Sequence, residues 1–422
     1  MKALNDNAHP LESLLKQHCP NGVEFKELGE LGEFYGGLSG KTKKDFEKGN
    51  AKYISYKNIF TNLAVSFDYN DFVTIQPNEK HHILKLGDVL FTGSSETQSE
   101  CGISSVVTKQ PQESIYLNSF CFGFRFYNEN LFLPDFTKYL FRDETTRQQI
   151  IKTANGTTRF NVSKKLMAKV KIPIPPLEIQ QKIVDILDAF TELQAELEAE
   201  LEARLKQYHY YRNKLLSHDE LENRTAKSRN DSDPTPIVPY VRLGEVCEKV
   251  FAGGDLPKEY SKDKKPSGEF LYPIYSNGSD ENSLYGFSKT YRIDAEAVTI
   301  SARGTIGFHT TREAKFTPIV RLITLIPNLN KITNRFLNYA LYTTHIEKYG
   351  TSAGIPQLTI PMLEKITIPL PPLSVQEEIV EILDKFDTLT NDLTSGIPAE
   401  IEARKKQYEY YRERLLNFIA KD

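Results

Sequence analysis

One glycine-rich stretch of the chain contains the residue types of a phosphate-binding loop. It reads GGLSGKT from Gly36 to Thr42 and so ends in the Gly-Lys-Thr triplet of such loops. A P-loop also requires a glycine five residues before the glycine of that triplet, and Tyr35 occupies that position. Because the preceding GELGEF is too polar for a buried strand, nucleotide binding is disfavoured. The stretch is instead predicted to be a flexible basic loop in which Lys41, Lys43 and Lys44 meet phosphate oxygens.

Other catalytic and metal-binding patterns are missing from the sequence. The eight histidines show no HExxH motif, the four cysteines have no ligand spacing, and there is no GxSxG elbow. A methyltransferase acting on an exocyclic amine would be expected to contain an Asn/Asp-Pro-Pro-aromatic tetrad, whereas the double prolines here stand in PIPPLE and PLPPLS. The sequence therefore predicts a non-enzymatic chain with no catalytic residues and no metal site.

The elements that position these residues include a segment that the chain contains twice. The first copy runs from Ile172 to Leu216 and the second from Ile368 to Leu416. They begin with IPIPPLEIQ and IPLPPLSVQ, and both end on the pattern KQYxYYRxxLL. Because a long and dissimilar stretch precedes each copy, the chain is a duplicated two-part unit, not a solenoid.

Each copy is predicted to be a long helix that starts at its proline pair, Pro175-Pro176 or Pro371-Pro372. Apolar residues then recur at spacings of three and four. About 40 residues rising ~1.5 Å each span ~60 Å, longer than a small domain is wide. The two helices are therefore predicted to pair as an antiparallel coiled coil with an internal pseudo-two-fold repeat. The alternative is that each helix only fills a globular core.

The two copies differ in their middle. The first contains the four-residue repeat QAEL-EAEL, which lets a helix change length by four residues. The second has Ser395-Gly396-Ile397-Pro398 there, which predicts a kink or break.

A globular domain precedes each helix. Both domains open with a Leu-Gly-Glu triplet, continue to a glycine pair and contain short β-type runs bounded by glycine and asparagine, among them FCFGFRF from Phe120 to Phe126. One helix is predicted in each, over Pro134–Lys152 and Asn334–Lys348. Without regular βαβ alternation, these patterns predict the α+β class. The predicted boundaries are residues 1–22 for an amino-terminal helical segment, 23–171 for the first domain, 172–217 for the first long helix, 218–239 for an exposed linker, 240–367 for the second domain and 368–422 for the second long helix.

The composition of the chain indicates its cellular compartment more clearly than the class of ligand that it binds. No apolar run approaches a membrane span, the amino terminus lacks a signal sequence, and the cysteines are scattered, so a cytoplasmic protein with reduced thiols is expected. The net charge of -3 argues weakly against nucleic acid. Acidic residues concentrate on the repeated helices, however, which leaves the domains near neutral to slightly basic, so charge alone does not decide.

The repeats and the domain openings resemble the specificity (DNA-recognition) subunit of type I restriction-modification systems. The resemblance covers essentially the whole chain and is most specific in the start and end of each helix. It implies a non-catalytic subunit with two target-recognition domains, each of which reads one half of a bipartite, asymmetric DNA site. It also implies that the helices set the spacing and dock two adenine methyltransferase subunits. S-adenosylmethionine, ATP and Mg would be bound by the methyltransferase and by restriction (motor-nuclease) subunits, and none by this chain. Alternatives are a coiled-coil scaffold with protein- or glycan-binding domains and a stand-alone DNA-binding repressor.

If the chain reads DNA, polar residues at the strand ends are the candidates, because Arg, Lys, Asn and Gln have donors that fit major-groove base edges. Each is equally compatible with an ordinary turn. In the first domain the candidates are Tyr56, Lys57, Asn58, Ser94, Ser95, Thr97, Asn155, Thr157 and Arg159. In the second they are Tyr275, Ser276, Asn277, Ser301, Arg303, Thr305 and Gln357.

The tyrosines near each helix end are candidates for binding the methyltransferase subunits. They are too many for one narrow stripe, and amphipathic tyrosines suit an interface with a wet edge. The alternative is that they only cap the coiled coil against the domains. They are Tyr208, Tyr210, Tyr211, Tyr408, Tyr410 and Tyr411.

Overall fold

The computed structural model describes residue 17 and residues 19–228, 238–279, 283–351 and 356–420. It divides into two compact units, Met1–Glu196 with Ile401–Asp422, and Leu197–Glu400. Each unit contains one α+β domain, the beginning of one repeated segment and the end of the other. The predicted α+β class and the duplication are confirmed. The amino-terminal helical segment predicted over 1–22 lies almost entirely outside the described residues.

The first domain is organised on a four-stranded antiparallel sheet. Its strands, in spatial order, are Gly32–Gly36, Cys121–Phe126, Val89–Thr92 and Ser104–Val106. Smaller sheets are formed by Phe72–Val73, Ala51–Ile54 and Ile115–Leu117, by Ala154–Asn155, Phe160–Val162 and Ser94–Ser95, and by Glu24–Glu27 with Lys171–Ile174. The helices are Leu28–Leu31, Tyr56–Thr61, Pro134–Leu140, Glu144–Ile151 and Lys164–Met167, with 3-10 turns at Lys43–Phe46 and Gln98–Glu100. Phe91 and Phe124 of the main sheet and Phe136 of a helix are fully buried in one core, which is the burial that drives a sheet and helix together.

The second domain has the same plan. Its main sheet consists, in spatial order, of Cys247–Ala252, Leu322–Pro327, Ala297–Ser301 and His309–Arg312. A second sheet contains Tyr260–Ser261, Leu284–Ser288, Tyr272–Tyr275 and Thr317–Pro318, and Tyr240–Arg242 pairs with Thr367–Pro369. The helices are Leu243–Val246, Asn334–Leu341 and Ile360–Leu363, with a 3-10 turn at Ile346–Tyr349. Ile300, Leu325 and Phe336 fill the equivalent core.

The glycine pairs of the two domains are explained by one close approach. A Cβ on Gly37 would collide with the carbonyl oxygen of Asn118, and a Cβ on Gly253 would collide with that of Ile319. In both domains, therefore, the chain leaves the first strand of the main sheet against the backbone that enters the second strand in spatial order. Only glycine permits that approach.

Both helices predicted within the domains are shorter than expected. Pro134–Leu140 ends before Asp143, whose carboxylate accepts hydrogen bonds from the backbone N–H groups of Thr145 and Thr146 and caps a separate helix. This N-cap starts a new helix because it satisfies donors that an N-terminus leaves free. In the second domain Asn334–Leu341 is followed by His345 in the left-handed conformation (φ 50°), which a continuing helix does not allow.

The repeated segments begin as predicted at the proline pairs. The first long helix is continuous from Leu177 to Leu215, whereas the second consists of Leu373–Asn391 and Ile397–Leu416. The predicted break is confirmed. Asp392 stabilises it by accepting hydrogen bonds from the backbone N–H of Thr394 (2.7 Å) and the hydroxyl of Ser395 (2.5 Å). Among the described residues, no helix is both long and apolar enough to cross a membrane.

Within each unit, the end of one long helix packs against the beginning of the other through an aromatic contact. In the first unit Tyr411 stacks on Phe190 with ring centroids 5.4 Å apart. In the second unit Tyr211 stacks on Phe386 at 5.5 Å. The carboxyl end of each helix therefore lies beside the amino-terminal half of its partner, which is antiparallel packing. The alternative in which each helix only fills its own domain is wrong.

The predicted linker begins as a helix. His218–Ser228 buries Leu221 and Thr225, and Arg224 forms ion pairs with Glu220 and Glu378. The polar composition of the stretch predicted an exposed linker, although Leu221 and Thr225 have the spacing of four that places them on one face of a helix. Residues 229–237 of the predicted linker lie outside the described residues.

A buried histidine makes the second domain sensitive to acid. Burial lowers the pKa of His309 to about 4, and its Nδ1 lies 2.9 Å from Asn338 Oδ1. Between pH 4 and pH 6.5, therefore, this histidine is protonated in the unfolded chain, where its pKa is 6.5, but neutral in the folded chain. The contribution of His309 to the free energy of unfolding is fully present above pH 6.5 and is lost as the pH falls towards 4. We expect a loss of about 2 kcal/mol in the free energy of unfolding at pH 5.

Urea unfolding at pH 7 and pH 5 checks this expectation. In His309→Gln the part of the loss due to this group should vanish. His345→Gln, which alters an exposed histidine of the same domain, should leave the loss as in the wild type. An equal loss in wild type and His309→Gln would contradict the assignment.

Candidate nucleic-acid interface

One of the three lysines in the basic loop of the first domain has an internal role. The side chain of Lys41 is 2% exposed, forms an ion pair with Glu79 and donates to the carbonyl oxygen of Thr74 at 2.6 Å. The predicted phosphate contact by Lys41 is therefore wrong, because its charge is already neutralised inside the domain.

Lys43 and Lys44 remain available. Both are exposed on the 3-10 turn that Thr42 and Asp45 fix by a reciprocal capping box. The hydrogen bonds from Thr42 lower the pKa of Asp45, so this carboxylate stays ionised and holds the turn. Two cations on a fixed turn are suited to contact phosphate oxygens.

The strand Ala51–Ile54 ends just before the candidates Tyr56, Lys57 and Asn58, which lie on a short helix and not in a loop. Asn58 is fully buried and donates to the carbonyl oxygen of Ser66 at 2.7 Å. Its predicted base contact is therefore wrong, since the amide is used to hold the following loop. Tyr56 is half-buried and donates to the carbonyl oxygen of Ser94 at 3.0 Å, whereas Lys57 is exposed.

Ser94 and Ser95 are nearly buried in a short strand at the end of the Val89–Thr92 strand. Ser94 Oγ accepts from Arg159 Nε at 3.1 Å. Ser95 and Thr97 instead donate to Glu100 at 3.1 and 2.7 Å. These two serines are therefore nearly inaccessible to a ligand, and their hydrogen bonds hold neighbouring exposed residues in place.

The exposed part of this surface comes from the hairpin before the first long helix. Asn155, Thr157 and Arg159 are all exposed there. The Arg159 guanidinium lies over the ring of Phe120, 5.9 Å from its centroid. The structure thus brings together candidates that are more than 60 positions apart in the sequence.

In the second domain, Tyr275 is covered by the Arg312 guanidinium, 3.7 Å from its ring centroid. Ser276 donates to the side-chain oxygen of Asn277, whose amide donates to the carbonyl oxygen of Arg303 at 2.9 Å. Asn277 therefore positions the backbone on which Arg303 stands.

One candidate of this domain is wrong. Ser301 is fully buried and its hydroxyl lies 2.9 Å from that of the exposed Thr305, so it stabilises the turn and has no access to a base. Arg303 pairs with Gln357 in an isolated antiparallel bridge, and both line an open depression of about 330 Å³.

Sequence reasoning missed two residues at these surfaces, Phe120 and Arg321. Phe120 was placed inside a strand that in fact starts at Cys121, and its side chain is 62% exposed. Arg321 is exposed and lies in the left-handed region (φ 72°) just before the strand that starts at Leu322. Aligning the two domains on their glycine pairs and the strands that follow would have pointed to both.

Each domain is fixed to its own long helix by the same kind of hydrogen bond. Tyr139 donates to Asp188 at 2.5 Å in the first unit, and Tyr339 donates to Asp384 at 2.6 Å in the second. Burial first, and then the hydrogen bond to Asp188, raises the pKa of Tyr139. The tyrosine therefore remains a donor at any physiological pH. These bonds orient the candidate surfaces relative to the helix that follows them.

The candidate docking tyrosines divide into two groups. Tyr208 and Tyr211 pack on Phe386, and Tyr408 and Tyr411 pack on Phe190. Tyr208 is buried and has no surface left for a partner, whereas the other three are half-buried and their docking role stays a prediction. They are used in helix pairing because their rings fall on the apolar stripe. Only two of the six are well exposed, Tyr210 at 60% and Tyr410 at 55%.

A family model described as type I restriction modification DNA specificity domain matches residues 20–207 and 238–403 of the chain. The chain belongs to this family. Its relatives among type I specificity subunits are similar over most of their length. One from Mycoplasma pneumoniae is 35% identical over 339 residues, 78% of this chain and 88% of the relative. One from Haemophilus influenzae is 37% identical over 287 residues, 65% of this chain and 70% of the relative.

Solved structures of type I systems share the fold. The S subunit of a type I restriction-modification system from M. genitalium aligns with a TM-score of 0.56 at 18% identity, over 99% of both chains. A chain from a structure concerned with complex assembly and conformational transition of the type I system aligns with a TM-score of 0.57 at 19% identity, over 94% of this chain and 98% of that one. The type I specificity assignment and the fold are confirmed, and the scaffold alternative is not favoured.

The part of the specificity subunit that the structure describes contains no group of three or more His, Cys, Asp or Glu side chains arranged to hold a metal ion. All four of its cysteines, Cys19, Cys101, Cys121 and Cys247, are free thiols. The candidate surfaces therefore offer hydrogen bonds, cations and exposed apolar groups.

Proposed function

We propose that each domain of this type I specificity subunit reads one half of a bipartite, asymmetric DNA site, and that the chain itself is non-catalytic. The observation that carries the proposal is that two domains of one architecture present different side chains at the same place. The exposed Arg159 lies there in the first domain, and Arg303 and Gln357 lie there in the second. Equal scaffolds with unequal hydrogen-bonding groups are suited to reading two unlike sequences.

The partners follow from this role. Two methyltransferase subunits would bind the long helices, and restriction subunits would join the complex to cleave DNA. S-adenosylmethionine, ATP and Mg would be bound by those subunits. Since the ligand is double-stranded DNA, the site of action would be the cytoplasm.

Co-expression with the methyltransferase subunit of the same system tests the proposal. We expect one complex to be purified, and sequencing of methylated adenines in its host to give a single two-part motif with a fixed gap. A chain that binds no methyltransferase and leaves the methylation pattern unchanged when deleted would refute it. Capture of a protein or glycan in place of DNA would favour a scaffold.

The two available lysines should contribute affinity without specificity. Lys43→Ala with Lys44→Ala is expected to weaken DNA binding by the methyltransferase complex equally on cognate and scrambled duplexes. The plot of the logarithm of the DNA-binding constant against the logarithm of the salt concentration should become less steep, by up to about 2 in slope. Each lost phosphate contact removes about one released counterion. Lys206→Ala, a change of an exposed lysine on the first long helix, is the matched control. Unchanged slopes in the double variant would exclude this turn from the interface.

The first long helix is proposed to set the gap between the half-sites. Deleting Glu196–Ala199 shortens it by ~6 Å and turns its distal part by ~40°, while Leu193 and Leu201 keep a spacing of four. We expect the half-sites to stay the same and the gap to contract by one base pair, or at most two, at ~3.4 Å per step. Sequencing of methylated sites in the deletion strain decides this. An unaltered gap would show that another element sets the spacing.

A further inference from the structure

Three chain segments meet in the same way at the candidate surface of each domain. In the first domain Gly93 N–H donates to the carbonyl oxygen of Phe120 at 2.9 Å, and Val162 N–H donates to that of Gly93 at 3.0 Å. In the second, Ala302 N–H donates to the carbonyl oxygen of Arg321 at 2.9 Å, and Leu358 N–H donates to that of Ala302 at 2.9 Å. These bonds make Phe120 and Arg321 equivalent positions.

Phe120 lies exposed at this junction. Its side chain is 62% exposed even though a phenylalanine gains stability from burial, and the guanidinium of Arg159 lies over its ring. An apolar ring beside a cation, on the surface that carries Ser94, is suited to a base edge with a methyl group. Thymine presents its C5-methyl in the major groove.

Arg321 has a different chemistry at the same place. It holds a left-handed backbone (φ 72°), which a non-glycine residue adopts at a cost that often marks a functional site. Its guanidinium and that of Arg303 form no hydrogen bond or ion pair with the residues that the structure describes. Both line the depression of about 330 Å³, and the described residues of that lining include Gln357 and no carboxylate. Two unneutralised cations with an amide fit the acceptor-rich edge of guanine.

We propose that the residue immediately before the Cys121–Phe126 and Leu322–Pro327 strands determines base specificity, with Phe120 contacting a thymine methyl and Arg321 contacting guanine. The inference rests on the proposed function and assigns the reading to one equivalent position in each domain. It explains why two domains with the same hydrogen bonds between segments carry side chains as unlike as phenylalanine and arginine there.

The test uses the methyltransferase complex with full-length variants. Phe120→Ala should relax the methylated motif at one or two positions of one half-site, and Arg321→Gly at one or two positions of the other. We expect a roughly 10- to 100-fold loss of discrimination at those positions, the value of one good base contact. Glycine is chosen for Arg321 because it tolerates the left-handed backbone and so removes the side chain without strain.

Two controls match these changes. Tyr127→Ala removes another exposed aromatic residue, at the opposite end of the same strand. Lys315→Gly removes a cation from another left-handed position of the second domain (φ 69°). Neither should change the motif, and thermal melting should show all four variants folded.

The outcomes separate this inference from the function on which it rests. A wild-type complex without sequence-specific methylation would refute the proposed function. A specific wild type with unchanged motifs in both Phe120→Ala and Arg321→Gly would refute the inference alone. Uniformly weaker binding with the motif retained would also refute it, since that is the result of a lost phosphate contact.

Discussion

Gln180→Ala is expected to lower the free energy of unfolding of the first unit by about 3 kcal/mol. The side chain is fully buried and makes three hydrogen bonds, two of which join the domain to the first long helix while the third holds the start of that helix. Its oxygen accepts from Leu133 N–H at 2.8 Å, and its nitrogen donates to the carbonyl oxygens of Leu131 and Pro175 at 3.1 and 2.9 Å. Alanine would leave these backbone groups buried and unpaired, which costs more than the bonds contribute.

Gln376 makes the same three bonds in the second unit. It accepts from Thr333 N–H at 2.9 Å and donates to the carbonyl oxygens of Lys331 and Pro371, both at 2.9 Å. Gln376→Ala should therefore destabilise the second unit by a similar amount. Urea unfolding of the whole chain should show one early transition in each variant.

Glutamate at these positions sharpens the test. Gln180→Glu retains the acceptor but places a carboxylate against two carbonyl oxygens, so it should destabilise strongly at pH 7. Burial raises the pKa of such a carboxyl group, and its protonated form restores one donor, so the difference from the wild type should shrink as pH falls. Gln181→Ala, at an exposed neighbour, should be nearly neutral. A neutral Gln180→Ala would show that these bonds do not hold the domain to the helix.

The largest effect on assembly is expected from the two exposed tyrosines of the helix ends. Tyr210→Glu combined with Tyr410→Glu should abolish co-purification with the methyltransferase subunit. The rings stand edge-on against Tyr211 and Tyr411, which are themselves anchored between the helices. They are thus exposed aromatic groups held against neighbouring rings, which is typical of interface anchors. A buried glutamate charge would have no partner in such an interface.

Both rings lie outside the stacking contacts between the helices, which Tyr411 makes with Phe190 and Tyr211 with Phe386. The helical circular-dichroism signal should therefore stay the same. Tyr210→Phe with Tyr410→Phe should retain binding, because it keeps the rings. Tyr127→Glu, at an exposed aromatic residue of the first domain, is the control for an added surface charge. Each single variant should bind one methyltransferase fewer if the two positions belong to two separate sites. Full binding by the double glutamate variant would exclude these positions from the interface.

The sequence by itself determined the features that depend on local spacing. The duplicated segment, the helix start after Pro175-Pro176 and the break near Gly396 were all predicted, because proline, glycine and apolar periodicity act within a few residues. The α+β class followed from the short strands, and the family followed from the repeated motifs. The domain boundaries and most of the base-contact candidates stay predictions.

Only the tertiary structure decided which of the candidate side chains are free to meet a ligand. Lys41 looks no different from Lys43 in the sequence, yet its charge is neutralised by Glu79, 38 positions away. Tyr208 and Tyr210 belong to one motif, but only the ring of Tyr210 turns away from Phe386. The sequence predicts Phe120 as part of a strand, whereas in the structure the strand starts at Cys121 and the Phe120 side chain is exposed. In each case the outcome depends on burial by residues distant in the chain, which no local pattern of residue types encodes.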